Sequence, residues 1–330
     1  MKKAIARESA TPITAEQAER MLRMLLTIRL FEEQMLEFLN TGVIKGGSHI
    51  YIGQEAVATG VCAALRPDDY ITSTHRGHGH GLAKGGEPRA LMAEILGRST
   101  GVCRGRGGSL HLADMNTGNL GANGIVGGSM GIACGAALSA KLRGSGQVVA
   151  CFFGDGAVST GIFHESLNMA QAWKLPVLFI CENNLYAMSV SVSRAMGLED
   201  IATRADGYGM RKAIVDGQDA VAVYEATKLH AEEARQGAGP TFIECKTYRF
   251  GGHSRSDARK YRTREEESRW RARDPIDVFA AYACERGLLD DAAIAATRAE
   301  VQATIADAAA FALASPDASP EELYEDLFAE

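Results

Sequence analysis

No run of about eighteen consecutive apolar residues occurs anywhere in the chain, so a membrane-spanning helix is not expected. The start, Met1 to Glu8, is charged and lacks the apolar stretch of a secretory leader, and the cytoplasm of a bacterium is the expected compartment. Basic residues are outnumbered: 35 Lys and Arg against 41 Asp and Glu leave a formal charge of −6, which argues against a nucleic-acid binder working through general electrostatics. The seven cysteines include no Cys-x-x-Cys pair, which argues against a disulfide framework and against a structural zinc site. Cys62, Cys134, Cys151 and Cys181 fall in apolar stretches and read as small buried hydrophobes. Internal repeats and low-complexity segments are also absent.

What is present is an alternation of strand and helix signals. Thr14-Ala15-Glu16-Gln17 fits a capping box opening a helix to about Asn40, apolar at Met21, Leu25, Ile28, Phe31, Met35 and Phe38. Helices are expected over Gln54–Leu65, Arg89–Leu96, Ser129–Lys141, Ile162–Trp173, Asp200–Gly207 and Ala220–Arg235. Strands are expected at Val148–Phe153, Val177–Cys181, Ala213–Val215 and Thr241–Thr247. Beyond Pro275 the pattern is helical, broken at Pro316 and Pro320. The expected fold is α/β, a mostly parallel sheet flanked by helices. It divides into a helical extension at 1–45, an α/β domain at 46–275 and a second helical extension at 276–330.

Two strand ends stand out. The run 148–153 ends in Gly154-Asp155-Gly156, and the run 177–181 ends in Glu182-Asn183-Asn184-Leu185-Tyr186. Short continuous apolar runs are what strands buried on both faces of a parallel sheet look like. With one crossover helix between them, Asp155 and Asn184 fall on neighbouring carboxyl edges, where open α/β sheets bind ligands. Gly154 and Gly156 leave room for a diphosphate beside backbone amides. A carboxylate and an amide oxygen, joined by phosphate oxygens, make a magnesium site.

Other loops carry candidate chemistry. In Ser73-Thr74-His75-Arg76-Gly77-His78-Gly79-His80, three histidines invite a zinc reading, while three glycines argue for a pliable loop in which Arg76 forks onto phosphate. Gly121 to Gly128 lacks the preceding strand and following acid of a dinucleotide fingerprint, and reads as a tight turn against a flat ring. Gly131, Gly135 and Ala136 put small residues on one helix, suiting close approach of another subunit or plain core packing. Arg249 to Asp257 follows a strand directly and carries His253, which can titrate near neutrality over a bound ligand.

In order, Thr74-His75-Arg76-Gly77-His78-Gly79, Gly124-Ile125-Val126-Gly127, Gly154-Asp155-Gly156, Glu182-Asn183-Asn184 and Gly252-His253-Ser254 resemble the α subunit of the thiamine-diphosphate-dependent component of 2-oxo-acid dehydrogenase complexes, including the acetoin dehydrogenases. The resemblance runs from about Leu22 to Asp274. It implies thiamine diphosphate and Mg2+, with Asp155, Asn184 and the Tyr186 carbonyl on the metal. Arg76 and His253 would engage the diphosphate, with His75 at a position often held by tyrosine. Gly124 and Val126 would touch the aminopyrimidine, Gly156 and Ala157 line the diphosphate, and Met188 support the bent cofactor. His253 is the residue it marks as catalytic. Gly251 and Ala258 depart from the usual His and Pro of the last loop.

The chemistry also needs a carboxylate at the pyrimidine ring, and no matching glutamate motif is present. The resemblance supplies it from a β subunit, which predicts an α2β2 heterotetramer and half of an active site on this chain. The implied reaction takes a 2-oxo acid, with pyruvate first, decarboxylates it and passes the acyl group to a lipoyl-bearing acyltransferase. Acetoin cleavage is the alternative: Leu120-Gly121-Ala122-Asn123-Gly124 looks acetoin-like, while His253-Ser254 with Tyr261-Arg262-Thr263 looks pyruvate-like. From another class, a non-catalytic nucleotide-binding or scaffold subunit could keep the same fold.

Overall fold

The computed structural model describes residues 13–325, so the charged start Met1 to Glu8 lies outside the described residues. The helices are α1 Ala15–Thr41, α2 Glu55–Ala64, α3 His78–Ala83, α4 Pro88–Ile95, α5 Gly128–Arg143, α6 Gly161–Ala172, α7 Val192–Ala195, α8 Ala220–Arg235, α9 Arg264–Arg271, α10 Pro275–Glu285 and α11 Asp291–Ala314. The strands are β1 Tyr70–Thr72, β2 Val149–Gly154, β3 Val177–Asn183, β4 Tyr186–Ala187, β5 Val190–Ser191, β6 Arg211–Asp216 and β7 Thr241–Lys246. Five form one parallel sheet in the order β1-β2-β3-β7-β6, and β4 and β5 make a small antiparallel hairpin.

The apolar runs of β2 and β3 are buried on both faces, and alternate residues divide between two layers. Val149, Cys151, Phe153, Val177, Phe179 and Cys181 pack with α5 and α6 residues such as Met130 and Phe163. Ala150, Phe152, Leu178 and Ile180 pack with Val57 and Val61 of α2 and Val223 of α8. Gly60 makes the second layer possible, because a Cβ there would lie 2.6 Å from the Ala220 carbonyl and 2.7 Å from the Val223 Cβ. Outside it lies a third, all-helical layer in which α1, α4, α10 and α11 share one core.

Helix α1 has the expected capping box: the Thr14 hydroxyl accepts from Gln17 N at 3.2 Å, and Gln17 Oε1 accepts from Thr14 N at 2.9 Å. Such a cap contributes about 1 kcal/mol. Four expectations change. The 73–80 stretch is not one pliable loop, since α3 begins at His78 and buries His78 and His80 completely. The segment at 201–208 is a 3-10 helix. Gly156 has a packing reason as well as a spatial one, because a Cβ there would lie 2.9 Å from that of Ala187 in the β4–β5 hairpin. The helical tail also breaks at 286–290, before Pro316, where Gly287 takes a left-handed turn at φ +64°. Among the described residues, no helix is long and apolar enough to cross a membrane.

Candidate active site

A cavity of about 270 Å³ opens at the carboxyl ends of β2 and β3. His75, Arg76, Val126, Asp155, Gly156, Ala157, Asn184, Tyr186, Met188 and His253 all line it. Of the residues the resemblance assigns to the cofactor and metal, Gly124 alone is not in the wall; its neighbours Ile125 and Val126 are. The sheet produces this convergence: Gly154 pairs in register with Glu182, which sets Asp155 beside the Asn183-Asn184 turn.

Asp155 is 2 % exposed, and its Oδ2 is buried with no hydrogen-bond partner. Burial raises its carboxyl to about 6, offset in part by backbone hydrogen bonds and the Arg249 guanidinium. A buried carboxylate oxygen without a donor is costly unless a cation or ligand completes it. The Asn184 amide donates to Gln54 Oε1 at 3.1 Å, leaving its own oxygen only a long bond, 3.4 Å, from Tyr186 N. Gln54, wholly buried in the cavity wall, has an unpartnered Nε2. These orphaned groups fit a hydrated divalent cation and a phosphate ligand.

The hairpin β4–β5 forms one lip. Leu185 and Met188 sit in the left-handed region at φ +74° and +53°, where a side chain costs on the order of 1 kcal/mol or more. The Met188 carbonyl accepts from Arg249 Nη2 at 3.2 Å, which helps hold that conformation. Arg249 is among the largest fully buried side chains and also donates to the Tyr261 hydroxyl at 3.1 Å.

The loop from Gly251 to Thr263 is pinned to the wall. Asp257 accepts from His253 N at 2.7 Å and from the Tyr261 hydroxyl at 2.5 Å. The Arg262 side chain lies within 6 Å of the Tyr186, Tyr248 and Tyr261 ring centres and donates to the carbonyls of Arg249 and Gly251, each at 2.6 Å. These bonds hold His253 over the cavity. Arg76 Nη1 and Nη2 reach the carbonyls of Ile50 at 2.6 Å and His253 at 3.1 Å, tying three segments together.

The histidines separate into two kinds. His78 uses both ring nitrogens, one with Glu32 at 3.1 Å and one with Ser109 Oγ at 2.8 Å. His80 does the same, with Ser73 Oγ at 2.7 Å and Glu182 at 3.2 Å. Neither is available to a metal, which removes the zinc reading of His75, His78 and His80. His49, His75 and His253 instead converge, with ring centres 4.6, 4.9 and 5.6 Å apart and ligand atoms within 4.8 Å of one another. His49 arrives from a segment the sequence reading passed over; the glycine pair Gly46-Gly47 just before Ser48-His49 was its one local signal. Burial, then the Arg76 guanidinium, lowers His49 and His75 to about 3 and His253 to about 4, so all three are neutral at pH 7.

A Cβ at Gly131 of α5 would meet Ile162 of α6 at 3.7 Å, whereas at Gly135 it would meet nothing within 4 Å among the described residues. Ile125, Val126, Ile132 and Met188 are exposed by 72, 50, 49 and 63 %.

Comparison with known proteins gives the family. The α subunit of acetoin:2,6-dichlorophenolindophenol oxidoreductase from Bacillus subtilis is 45 % identical over 317 residues, spanning 96 % of this chain and 95 % of that protein. Its counterpart from Cupriavidus necator is 42 % identical, spanning 97 % and 96 %. The pyruvate dehydrogenase E1 component subunit alpha of Rhizobium meliloti is 41 % identical, spanning 92 % and 88 %. Residues 23–321 match the family described as dehydrogenase E1 component, and the chain belongs to that family.

Proposed function

We propose that this chain is the α subunit of a two-subunit dehydrogenase that cleaves the carbon–carbon bond beside a carbonyl and passes the acyl group to a lipoyl-bearing partner. Family membership carries thiamine diphosphate as cofactor. Substrates of this reaction class are 2-oxo acids such as pyruvate and 2-hydroxy ketones such as acetoin, the two kinds named among the relatives. The observation that carries the reading is the buried, unpartnered Asp155 Oδ2 at a strand end beside Asn184.

In this reading Asp155, Asn184 and the Tyr186 carbonyl would hold Mg2+, which would neutralise charge on the diphosphate. Arg76 and His253 face the diphosphate, while Gly156 and Ala157 border it. Gly124, Val126 and Met188 meet the rings. Thiamine diphosphate, when bound, supplies a nucleophilic carbon and an electron sink. The chain's own part is to fix and desolvate the cofactor, and to present neutral imidazoles and two guanidinia to whatever enters. No glutamate of this chain's cavity matches the one needed at the pyrimidine. A β subunit provides it, and the exposed Ile125, Val126, Ile132 and Met188 are the apolar edge against which it seats, in an α2β2 assembly.

Calorimetry on the complex with its β subunit tests this. Thiamine diphosphate binds with Mg2+ and loses at least about 100-fold in affinity without it or in Asp155→Ala. Tight binding by Asp155→Ala removes the metal assignment, and binding of adenine nucleotides in place of thiamine diphosphate favours a non-catalytic nucleotide-binding subunit.

A further inference from the structure

The metal ligands assigned above are not held alike. Asp155 opens a 3-10 helix at the end of β2, and Asn184 follows directly from β3, so the central sheet fixes both. Tyr186 belongs instead to β4, a two-residue strand that pairs with β5 and stands outside that sheet. Leu185 and Met188, on either side of it, are both in the left-handed region. Such backbone persists only where its surroundings over-determine it. What grips the hairpin therefore decides where the Tyr186 carbonyl stands. Leu185 N donates to Asn183 Oδ1 at 3.1 Å, Val192 N to the Leu185 carbonyl at 2.9 Å, and Arg249 Nη2 to the Met188 carbonyl. These bonds act to either side of Tyr186, which is gripped through its side chain.

The Tyr186 hydroxyl donates to Glu266 Oε2 at 2.9 Å, and the wholly buried Tyr248 donates its hydroxyl to Glu266 Oε1 at 2.7 Å. Glu266 stands on α9, 80 positions from Tyr186 and outside the cavity wall. Its place on that helix is set from both ends. Thr263 caps α9 by accepting from Glu266 N at 3.1 Å, and Trp270, one turn on, stacks against Tyr248 with ring centres 5.3 Å apart. Helix α9 has no buried residue, so an apolar core does not explain why it docks here. A carboxylate accepting from two phenols makes stronger hydrogen bonds than a neutral acceptor would. It ties the β4–β5 lip to the chain that leaves β7.

Resting on the Mg2+ assignment above, we infer that Glu266 is a positioning residue for the metal site: by holding the Tyr186 hydroxyl it keeps the Tyr186 carbonyl available to the ion. A tyrosine anchored at both its Cα and its phenol cannot swing with a short hairpin. Without Glu266 the ring loses its outer anchor, and Leu185 and Met188 are free to relax out of the left-handed region, taking the carbonyl with them. Asp155 and Asn184 stay where the sheet holds them. The loss is therefore one of metal affinity, with the chain's contacts to the diphosphate left in place.

The test uses the assembled complex with its β subunit and reads, by calorimetry, the Mg2+ concentration that half-saturates thiamine diphosphate binding. Glu266→Ala and Tyr186→Phe each raise it about tenfold, and the double variant no further, because both remove the same bond. At saturating Mg2+ the variants bind thiamine diphosphate as the wild type does. Glu266→Gln, which keeps one acceptor oxygen, recovers part of the loss. Tyr248→Phe removes the other hydroxyl on the same carboxylate and leaves the Mg2+ requirement unchanged, which separates positioning of Tyr186 from mere docking of α9. If Glu266→Ala leaves the requirement unchanged while Asp155→Ala raises it, the inference falls and the metal assignment stands. If Asp155→Ala changes nothing either, both fall. Losses that add in the double variant, or an equal loss in Tyr248→Phe, mean a general loosening of the cavity mouth and overturn the inference. Should Glu266→Ala fail to assemble, Tyr186→Phe set against Tyr248→Phe decides on the same terms.

Discussion

One eight-residue stretch contains histidines that do opposite jobs. His78 and His80 face the interior, have both nitrogens bonded and are wholly buried, while His75, three residues earlier, lines the cavity with neither nitrogen bonded among the described residues. The difference comes from where α3 begins. Its first turn carries His78 and His80 inward onto Glu32 and Glu182, and the loop before it leaves His75 outside. A satisfied imidazole fixes structure, and an unsatisfied one awaits a ligand. Asp155 belongs with the second kind.

The sharpest way to break this comparison is His78→Phe. It leaves the fully buried Glu32 carboxylate without its partner, so the chain should lose about 4 kcal/mol in chemical denaturation with an unchanged m-value. His78→Gln should recover part of that, and a loss below about 1 kcal/mol would move His78 out of the structural class. Asp155→Asn should do the reverse in the chain without metal or cofactor. Its folded carboxyl lies near 6, above the ordinary 3.8. The wild-type contribution is thus fully present below 3.8 and lost as pH rises through about 6. The variant should therefore be about 2 kcal/mol more stable at pH 7.5 and show no gain at pH 3.5, read from paired denaturation curves.

The histidine cluster predicts an acid effect of opposite sign. Folded values near 3 to 4 lie below the unfolded 6.5, so the contribution is present above pH 6.5 and lost as pH falls toward 3. Replacing His49, His75 and His253 together with Asn should flatten that part of the stability profile, and an unchanged profile would show that the cluster is not held neutral. The smallest effect is expected at Met188→Gly. Relief of the left-handed backbone and the added freedom of the unfolded chain nearly offset, leaving stability within about 1 kcal/mol by thermal unfolding.

These contrasts also show what a sequence can disclose. Strands β2 and β3 were legible because a sheet buried on both faces demands an unbroken apolar run, and their ends placed Asp155 and Asn184. Helix α8 was legible to the residue, since Asp219 caps it by accepting from Val221 and Ala222. Strand β1 has only three residues and gave no periodic signal. Helix α3 was hidden by Gly79 and Gly81, which disfavour a helix unless packing pays for it; Tyr51 and Leu91 press on those positions. The roles of His78 and His80 were out of reach because their partners lie 46 and 102 positions away. His49 joined the site only through three-dimensional convergence of three loops.

The bare apolar rim around the cavity has a consequence for how the protein is made. Ile125, Val126 and Met188 line the opening, and Ile132 lies on the adjoining helix α5; all four are exposed among the described residues. A copy that finishes folding before meeting its β subunit carries an adhesive edge, and two such copies can join each other through it. An excess of α chains over β chains is therefore expected to self-associate, a tendency that light scattering of the chain purified alone would read. Balanced synthesis of the two polypeptides is in this sense written into four side chains.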